Sequence, residues 1–426
     1  MRDLYTMILA GGRGERLLPL TQHRAKPAVP FGGKYRIIDI TLSNCLNSGL
    51  RKMAVLIQYK SHSLDRHIRT GWNVLNPELG EFLMSIPPQQ RISKDWYRGT
   101  ADAVFQNLFL LEQEQPRHLL VLAGDHVYKM NYADMYQFFL EKNADAVVGA
   151  IEWPREQASD FGILGVDETM RVHRFEEKPQ DPFPLPHDPA HAFVSMGIYL
   201  FRTDLLYEGL RQDASQEDSA HDFGKNILPS MIQNGRVFAY NFQDENKKEV
   251  QYWRDIGTLD AYFEANMDLV SVDPLFNFYD QAWPIRTYQG QFPPAKFVFA
   301  EKTGNGRMGM ALDSIVSGGC IISGSQVKNC VLSPNVRVHN HAEIHESIIM
   351  ENVEIGERAR IRRAIIDKGV VIPPGTVIGY DAEQDRKRFT LTDEGVVVIT
   401  QPKLTSSKKK TLTISVVSTP KSVQEV

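Results

Sequence analysis

The chain is poor in three things. It has three cysteines in 426 residues, Cys45, Cys320 and Cys330, too few for a disulfide framework and not spaced as a zinc-type pair. A reducing compartment is expected. No apolar run approaches the ~18 residues of a membrane span. The opening MRDLYTMILA runs into a strand pattern without the apolar core and cleavage site of a secretory signal. A cytoplasmic protein is therefore expected. Net charge is also scarce, at −4 from 48 basic and 52 acidic side chains. The whole molecule is thus not a polyanion binder, and neither nucleic acid nor a membrane is expected as a partner. Attraction for anions must come from local patches.

Familiar signatures are missing as well. There is no GxxxxGK[ST] loop, Leu17 stands where a dinucleotide fingerprint needs its third glycine, and no Ser-His-Asp or Cys-His set is evident.

The length implies two or three domains. Through about residue 265, short runs rich in Val, Ile and Leu (Leu4–Leu9, Met53–Ile57, Leu119–Leu122, Ala146–Ile151) alternate with helical patterns. Such non-alternating runs mark buried parallel strands, so 1–265 reads as an α/β domain with a mostly parallel sheet. Thr100 is placed to cap a helix carrying Val104, Leu108 and Leu111 on one face, and Asn131 to cap one carrying Met135, Phe138 and Phe139. The pattern breaks around Pro274–Pro294, and 266–300 reads as a linker. Residues 301–400 have another period. Ile315, Ile321, Val327, Leu332, Val338, Ile344, Ile349, Ile355, Ile361, Ile366, Ile372 and Ile378 are all aliphatic, spaced six, six and five, so that 17 residues return each position to its equivalent. A helix cannot keep a stripe at that spacing. A parallel β-helix of about four triangular coils can, with one aliphatic side chain turned inward from each wall. Residues 401–426 form a polar tail with Lys408, Lys409 and Lys410 in a row, expected to be flexible.

Against that frame, ILAGGRGERL stands out. Gly11, Gly12 and Gly14 lie where the first strand should turn into a helix. Glycines there let backbone N–H groups approach a ligand, and a helix N-terminus behind them favours negative charge. A plain glycine-rich turn is the competing reading. Six basic residues follow within Arg13–Ile38 (Arg13, Arg16, Arg24, Lys26, Lys34, Arg36), opposed by Glu15 alone and interspersed with prolines and glycines. Such a loop wraps several cations around a polyphosphate, which points to a nucleoside triphosphate. A triphosphate needs a metal. Asp125, in LLVLAGDHVYK, ends a buried strand at the sheet edge where α/β proteins bind ligands, and Mg²⁺ takes one or two carboxylates there. Asp255, in YWRDIGT, is either a second carboxylate for the metal or a loop partner of Arg254.

The segments LAGGRGERL, AKPAVPFGGKYRIIDITLSNCLNSG, WYRGTADAV, AGDHVYK, FEEKP, SMGIYLF, HDFGKNILP and YWRDIGT occur in this order. Together, from about Met7 to Thr400, the chain resembles the bacterial ADP-glucose pyrophosphorylases (glucose-1-phosphate adenylyltransferases). The resemblance implies a Rossmann-like nucleotidyltransferase domain followed by a left-handed parallel β-helix. It also implies a reaction in which ATP and α-glucose 1-phosphate give ADP-glucose and pyrophosphate, supplying glycogen or another α-glucan. By the same resemblance, Gly11, Gly12 and Gly14 cradle the triphosphate, Arg16 and Lys26 stabilise the phosphates, and Asp125 and Asp255 hold Mg²⁺. Gln90, in PPQQR, reads adenine. Tyr97, Gly162, Glu177, Lys178 and Ser195 match the glucose 1-phosphate site. A homotetramer responding to a phosphorylated metabolite is implied too. One departure concerns that response: His23 stands where enterobacterial relatives carry a lysine tied to fructose bisphosphate. A different, weaker or pH-dependent activator response is expected. His339, His341 and His345 are histidines of the type found in β-helix acyltransferases, but are expected to be corner residues.

Overall fold

The computed structural model describes residues 1, 3–88, 96–301 and 307–401. The apolar runs become a nine-stranded sheet. In chain order its strands are β1 (Leu4–Ala10), β2 (Lys52–Ile57), β3 (Phe82–Ile86), β4 (His118–Ala123), β5 (Ala146–Pro154), β6 (Gly162–Val166), β7 (Val172–Glu177), β8 (His191–Arg202) and β9 (Val237–Asn241). β1 lies between β2 and β4, and β3 beyond β2, all parallel. β8 runs antiparallel between β5 on one edge and, on the other, β6 and then β4. β9 joins β5 in parallel and β7 joins β6 antiparallel. Of these described strands only β7 and β8 run against the rest, so the sheet is mostly parallel. Successive residues of its central strands feed two separate cores, Ile8, Val55 and Leu122 on one face, Met7, Leu56 and Val121 on the other. That explains why the strands read as continuous aliphatic runs.

Two local expectations differ from what is found. The glycine loop leads into a short 3₁₀ turn, Glu15–Leu17, and the first α-helix begins only at Ile37; no helix dipole stands behind the glycines. The helix expected from Thr100 is two short ones, Thr100–Phe105 and Leu108–Glu114. Gly99 takes the N-cap position, because the Thr100 hydroxyl is engaged with Asp222, 2.9 Å away. Asn131 does cap Tyr132–Glu141, its side chain accepting from the Ala133 N–H at 3.1 Å.

The second part is a parallel β-helix. Gln326–Leu332, Glu343–Ile349 and Arg360–Ile366 stack in register at 17-residue steps. From Val327 to Ile378 the expected inward row is buried. The first coil is one residue shorter. Val316 pairs with Leu332 and Ile322 with Val338, so these two, not Ile315 and Ile321, occupy the inward row. Left-handed corner residues follow the same period: Asn329, Glu346 and Arg363 at one corner, Asn335 and Asn352 at another, His341 and Arg358 at the third. His341 is thus a corner residue. His339 bridges coils to Glu354 at 2.7 Å, and His345 lies within a strand, next to the Glu346 corner.

One wall of the β-helix is covered on both sides. Ile348, Ile365 and Val398 face outward yet are buried, packed in one core with Tyr262 and Phe263 of the helix Leu259–Asp268. Arg24 spans the same seam to Asp367 at 2.9 Å, both side chains 12% exposed. The linker is shorter than the expected 266–300: the helix Leu259–Asp268 runs past residue 265, and Lys296–Val298 already pairs in parallel with Ile321–Ser323 of the β-helix; between them the chain crosses the helix Ile37–Asn47. Trp283 Nε1 donates to Asn44 and the Arg286 N–H to Ser43, each at 2.8 Å.

Truncating the outward-facing row tests the seam. Ile365→Ala should cost about 2–5 kcal/mol, as buried Ile→Ala changes do. It should also split a shared calorimetric transition into two, because it removes docking rather than coil packing. Ile366→Ala, pointing into the coil, should lower the β-helix transition without splitting it. Equal, unsplit losses from both would show that the two parts unfold independently of this row.

Candidate functional site

The glycine turn and its charged neighbours assemble at the carboxyl end of β1 and β4. Gly14 sits in the left-handed region at φ 62°, where a Cβ would come 3.1 Å from both Lys26 and Thr21. The turn is tied by the Thr21 hydroxyl donating to the Gly14 carbonyl at 2.7 Å. Among the described residues, none beyond its chain neighbours comes within 4 Å of a Cβ position on Gly12. Its bareness serves no internal packing and leaves the backbone open toward the cleft. This cleft, of about 470 Å³, is lined by Gly12, Gly14, Arg16, Lys26, Asp125 and Gly257 among others.

At its floor the Lys26 ammonium lies 2.9 Å from Asp125 and 3.0 Å from Asp255. Asp255 arrives on a two-stranded ribbon, Trp253–Asp255 against His126–Tyr128, in which Asp255 pairs with His126. Its alternative partner, Arg254, turns away to Asp268. Burial disfavours the charged form of Lys26, yet the two carboxylates overcome it and raise the lysine's pKa. Burial likewise works against Asp125 and Asp255, but Lys26 and His126 hold both below the usual carboxylate range. An ammonium resting between two ionised carboxylates marks a place made for positive charge. Among the described residues no three His, Cys, Asp or Glu form a closed metal cage. Two carboxylates with the remaining positions left to phosphate and water are what Mg²⁺ accepts, so the residues present fit that ion. Arg16 is exposed at the rim, and a Cβ on Gly257 would lie 3.1 Å from its guanidinium and 3.3 Å from Asp255.

A second cluster assembles around the β6–β7 hairpin, where Gly162 pairs with Glu177. A Cβ on Gly162 would lie 2.9 Å from the Glu177 carboxylate, and one on Gly224 3.1 Å from it. Lys178 follows in the left-handed region at φ 53°. Burial, reinforced by Asp222 and opposed by Lys178 and Lys225, raises the pKa of Glu177. Ser195 stands at a bulge in β8, where the register with β5 slips between Ser195 and Ile198; bulges re-aim side chains beside sites. Tyr97 accepts from Asn107 at 2.9 Å through its hydroxyl. Gln58 links the two halves, its amide 3.4 Å from the Tyr97 carbonyl and its carboxamide oxygen 3.2 Å from the Cβ position of Gly11.

Of the residues expected from sequence, Gly11, Gly12, Gly14, Arg16, Lys26, Asp125 and Asp255 thus gather at one end of the sheet. Gly162, Glu177, Lys178 and Ser195 lie on the β6–β8 side. Gln90 lies outside the described residues. Sequence reasoning missed Gln58, Asp222 and Gly224. The last two belong to HDFGKNILP, whose signal is a π-helical turn at Phe223–Ile227, capped by Asp222 accepting from the Gly224 and Lys225 N–H groups; such turns gather at functional sites.

Comparison with known proteins bears on the same two halves. Residues 5–272 match the family model described as nucleotidyl transferase, and residues 293–399 match that of the GlmU-like C-terminal hexapeptide, the left-handed β-helix repeat. The glucose-1-phosphate adenylyltransferase of Koribacter versatilis is 56% identical over 403 residues, 94% of this chain and 96% of the relative. Those of Rhodopirellula baltica and Methylococcus capsulatus are each 54% identical, covering 96% and 94% of this chain and 93% of their own lengths. With such identity running through both parts, this chain belongs to the glucose-1-phosphate adenylyltransferases of the nucleotidyl transferase family.

Proposed function

We propose that the chain transfers the adenylyl group of ATP to α-D-glucose 1-phosphate, giving ADP-glucose and pyrophosphate for glycogen or another α-glucan. The observation that carries this reading is the Lys26 ammonium held between Asp125 and Asp255 beneath the glycine turn. A phosphate oxygen of the sugar phosphate attacks the α-phosphorus, a P–O–P bond forms, and the bond to the β-phosphate breaks as pyrophosphate leaves. The attacking phosphate is already ionised near neutrality, so no general base is needed, and catalysis is positioning plus charge neutralisation. Gly11, Gly12 and Gly14 offer backbone N–H groups to the triphosphate. Arg16 and Lys26 counter the charge growing on pyrophosphate. Glu177 accepts from a glucose hydroxyl, Lys178 pairs with the sugar's phosphate, and Tyr97, Gly162 and Ser195 shape the pocket. Gln90 is assigned to adenine. Asp125 and Asp255 would hold Mg²⁺, which when bound neutralises phosphate charge. The catalytic part runs through the helix Leu259–Asp268, and the β-helix begins with the strand Lys296–Val298, followed by the tail 401–426. A homotetramer in the cytoplasm completes the reading; no helix of the described residues is long and apolar enough to cross a membrane.

A phosphorylated metabolite effector suits a cavity of about 540 Å³ between the two parts, lined by Lys34, Arg36, Arg66 and Lys368 with Glu351. Burial lowers the pKa of Arg36 despite Asp39, with Arg24 and Arg66 adding to the fall. Burial lowers that of Lys368 against Glu351. Crowded, desolvated cations are relieved by a bound anion. His23 is exposed and does not line this cavity.

Pyrophosphate release should require ATP, with UTP, dTTP and GTP inactive. Asp125→Asn should lower kcat/KM by about 10²-fold or more; unchanged turnover would remove Asp125 from the mechanism. Glu177 supplies a pH test. Its raised pKa means the carboxylate is lost as pH falls through that value, so KM for glucose 1-phosphate should rise on the acid side. Glu177→Gln should abolish that limb and raise KM at neutral pH. A carboxylate with a raised folded-state pKa destabilises the fold where it is ionised, so the same variant should melt at higher temperature at pH 7. A lower melting temperature would mean the burial is offset elsewhere. For the cavity, fructose 1,6-bisphosphate or inorganic phosphate should raise the melting temperature of the native protein, and Lys368→Met should diminish the rise. No shift with either anion would empty the cavity of this role.

A further inference from the structure

The turn that follows Tyr97 and the turn beside Glu177 hold each other. Tyr97 lies just before the helix Thr100–Phe105, whose N-cap, Gly99, brings no side chain to the first amides. Those amides are met from a distant segment: the Ala101 N–H donates to the His221 carbonyl at 2.9 Å and the Asp102 N–H at 3.3 Å. The approach is so close that a Cβ on Gly99 would fall 2.2 Å from the His221 oxygen and 2.5 Å from that of Ala220. Next to it, the Thr100 hydroxyl donates to Asp222 and accepts from the Phe223 N–H at 3.0 Å. Asp222 in turn caps the turn bearing Gly224 and Lys225, beside Glu177.

What fixes the His221 carbonyl is a buried dyad. His221 is in the left-handed region at φ 51° and 2% exposed. Its Nδ1 lies 2.7 Å from Asp213 at the end of the helix Thr203–Ala214. A carboxylate only accepts, so the ring proton is on Nδ1. Ser219 donates to the other Asp213 oxygen and accepts from the His221 N–H at 3.0 Å. His221 Nε2 is buried with no hydrogen-bond partner among the described residues. The ring's polar work is therefore the grip on Asp213.

We propose that His221, locked by Asp213, is a positioning residue for glucose 1-phosphate, pinning the Tyr97 turn to the Asp222–Lys225 turn and so setting the width of the sugar pocket. This rests on the reading of Glu177 and Lys178 as the sugar-phosphate residues. His221→Gly keeps the positive φ free of strain while removing the ring. It should raise KM for glucose 1-phosphate by about tenfold, the scale of a sub-ångström misplacement, leave KM for ATP unchanged, and speed hydrogen exchange at Ala101 and Asp102. His221→Asn tolerates the same φ and donates to Asp213 from nearly the same place, so it should restore most of the loss. If His221→Gly does not fold, Asp213→Leu, of similar size but with no acceptor, carries the same expectation. Lys178→Ala is the control for the underlying reading. If it raises KM for glucose 1-phosphate and the His221 variants do not, or if they raise both KM values alike, the positioning role is overturned and the site stands. If Lys178→Ala leaves that KM unchanged, the sugar-site reading falls, and this proposal with it.

Discussion

Two carboxylates of a cleft floor, Asp125 and Asp255, share one ammonium, Lys26, at 2.9 and 3.0 Å. Brought together without it they would repel and one would take up a proton. The contact joins three stretches of chain far apart in sequence: the loop after the glycine turn, the end of β4, and the ribbon Trp253–Asp255. Everything downstream hangs from that ribbon. Thr258 caps the helix Leu259–Asp268, and that helix is the platform on which Ile348 and Ile365 of the β-helix rest. On the other side, Arg24 stands two residues before Lys26 and reaches Asp367 of the β-helix. One short segment thus touches the cleft floor and the seam between the two parts, with the cationic cavity beside it.

The sheet explains why two substrate halves can meet there. Ligands of open α/β sheets bind beyond the carboxyl ends of the parallel strands, which places the nucleotide half over β1 and β4. β8 runs the other way, sharing its edge between β4 and β6. The bulge at Ser195–Ile198 falls between these two pairings, so the strand that borders the nucleotide half also carries Ser195 to the β6–β7 hairpin. A sheet of one direction throughout would have needed a separate loop to make that bridge.

Much of this was readable in sequence, for physical reasons. Fully buried parallel strands must be aliphatic on both faces, and β1, β2, β4 and β5 are. A coil of fixed perimeter must repeat, and ten of twelve inward positions follow 17-residue arithmetic. The two that fail, Ile315 and Ile321, sit in a coil that is one residue short, and adjacent aliphatics (Ile315-Val316, Ile321-Ile322) hide the slip. Adjacent aliphatics also held an unread signal. Val331-Leu332, Ile348-Ile349 and Ile365-Ile366 recur at 17 without a break, whereas on the other walls polar residues interrupt the pairs, as in Arg337-Val338, Glu354-Ile355, Glu343-Ile344 and Arg360-Ile361. A wall apolar on both sides must be covered, and this one is. The helix behind the glycine turn was misread past a local signal, since Pro19 holds Leu18 extended and stops the turn after Leu17. The cap at Thr100 was misread because it depends on Asp222 and His221, far along the chain, which local propensity does not contain. The same holds for Asp222, Gly224 and His221, whose roles exist only once Gly99 meets residue 221.

The charges of the cleft suit the proposed reaction, in which charge neutralisation takes the place of an acid–base pair. Among the described residues, Arg13, Arg16 and Lys26 are balanced by Glu15, Asp125 and Asp255, so this part of the cleft is close to electroneutral. A triphosphate carries several negative charges and gains little from a neutral cleft whose lysine is already spent on carboxylates. Asp125 and Asp255 would hold a divalent cation, whose charge would make the cleft positive and leave Lys26 free for phosphate. The raised pKa of Lys26 follows from the same pairing: the lysine is kept protonated while it waits, so the charge it offers to phosphate is never in question at neutral pH. The carboxylate pair therefore serves twice, as a seat for cations and as the store in which the reaction's own positive charge is held.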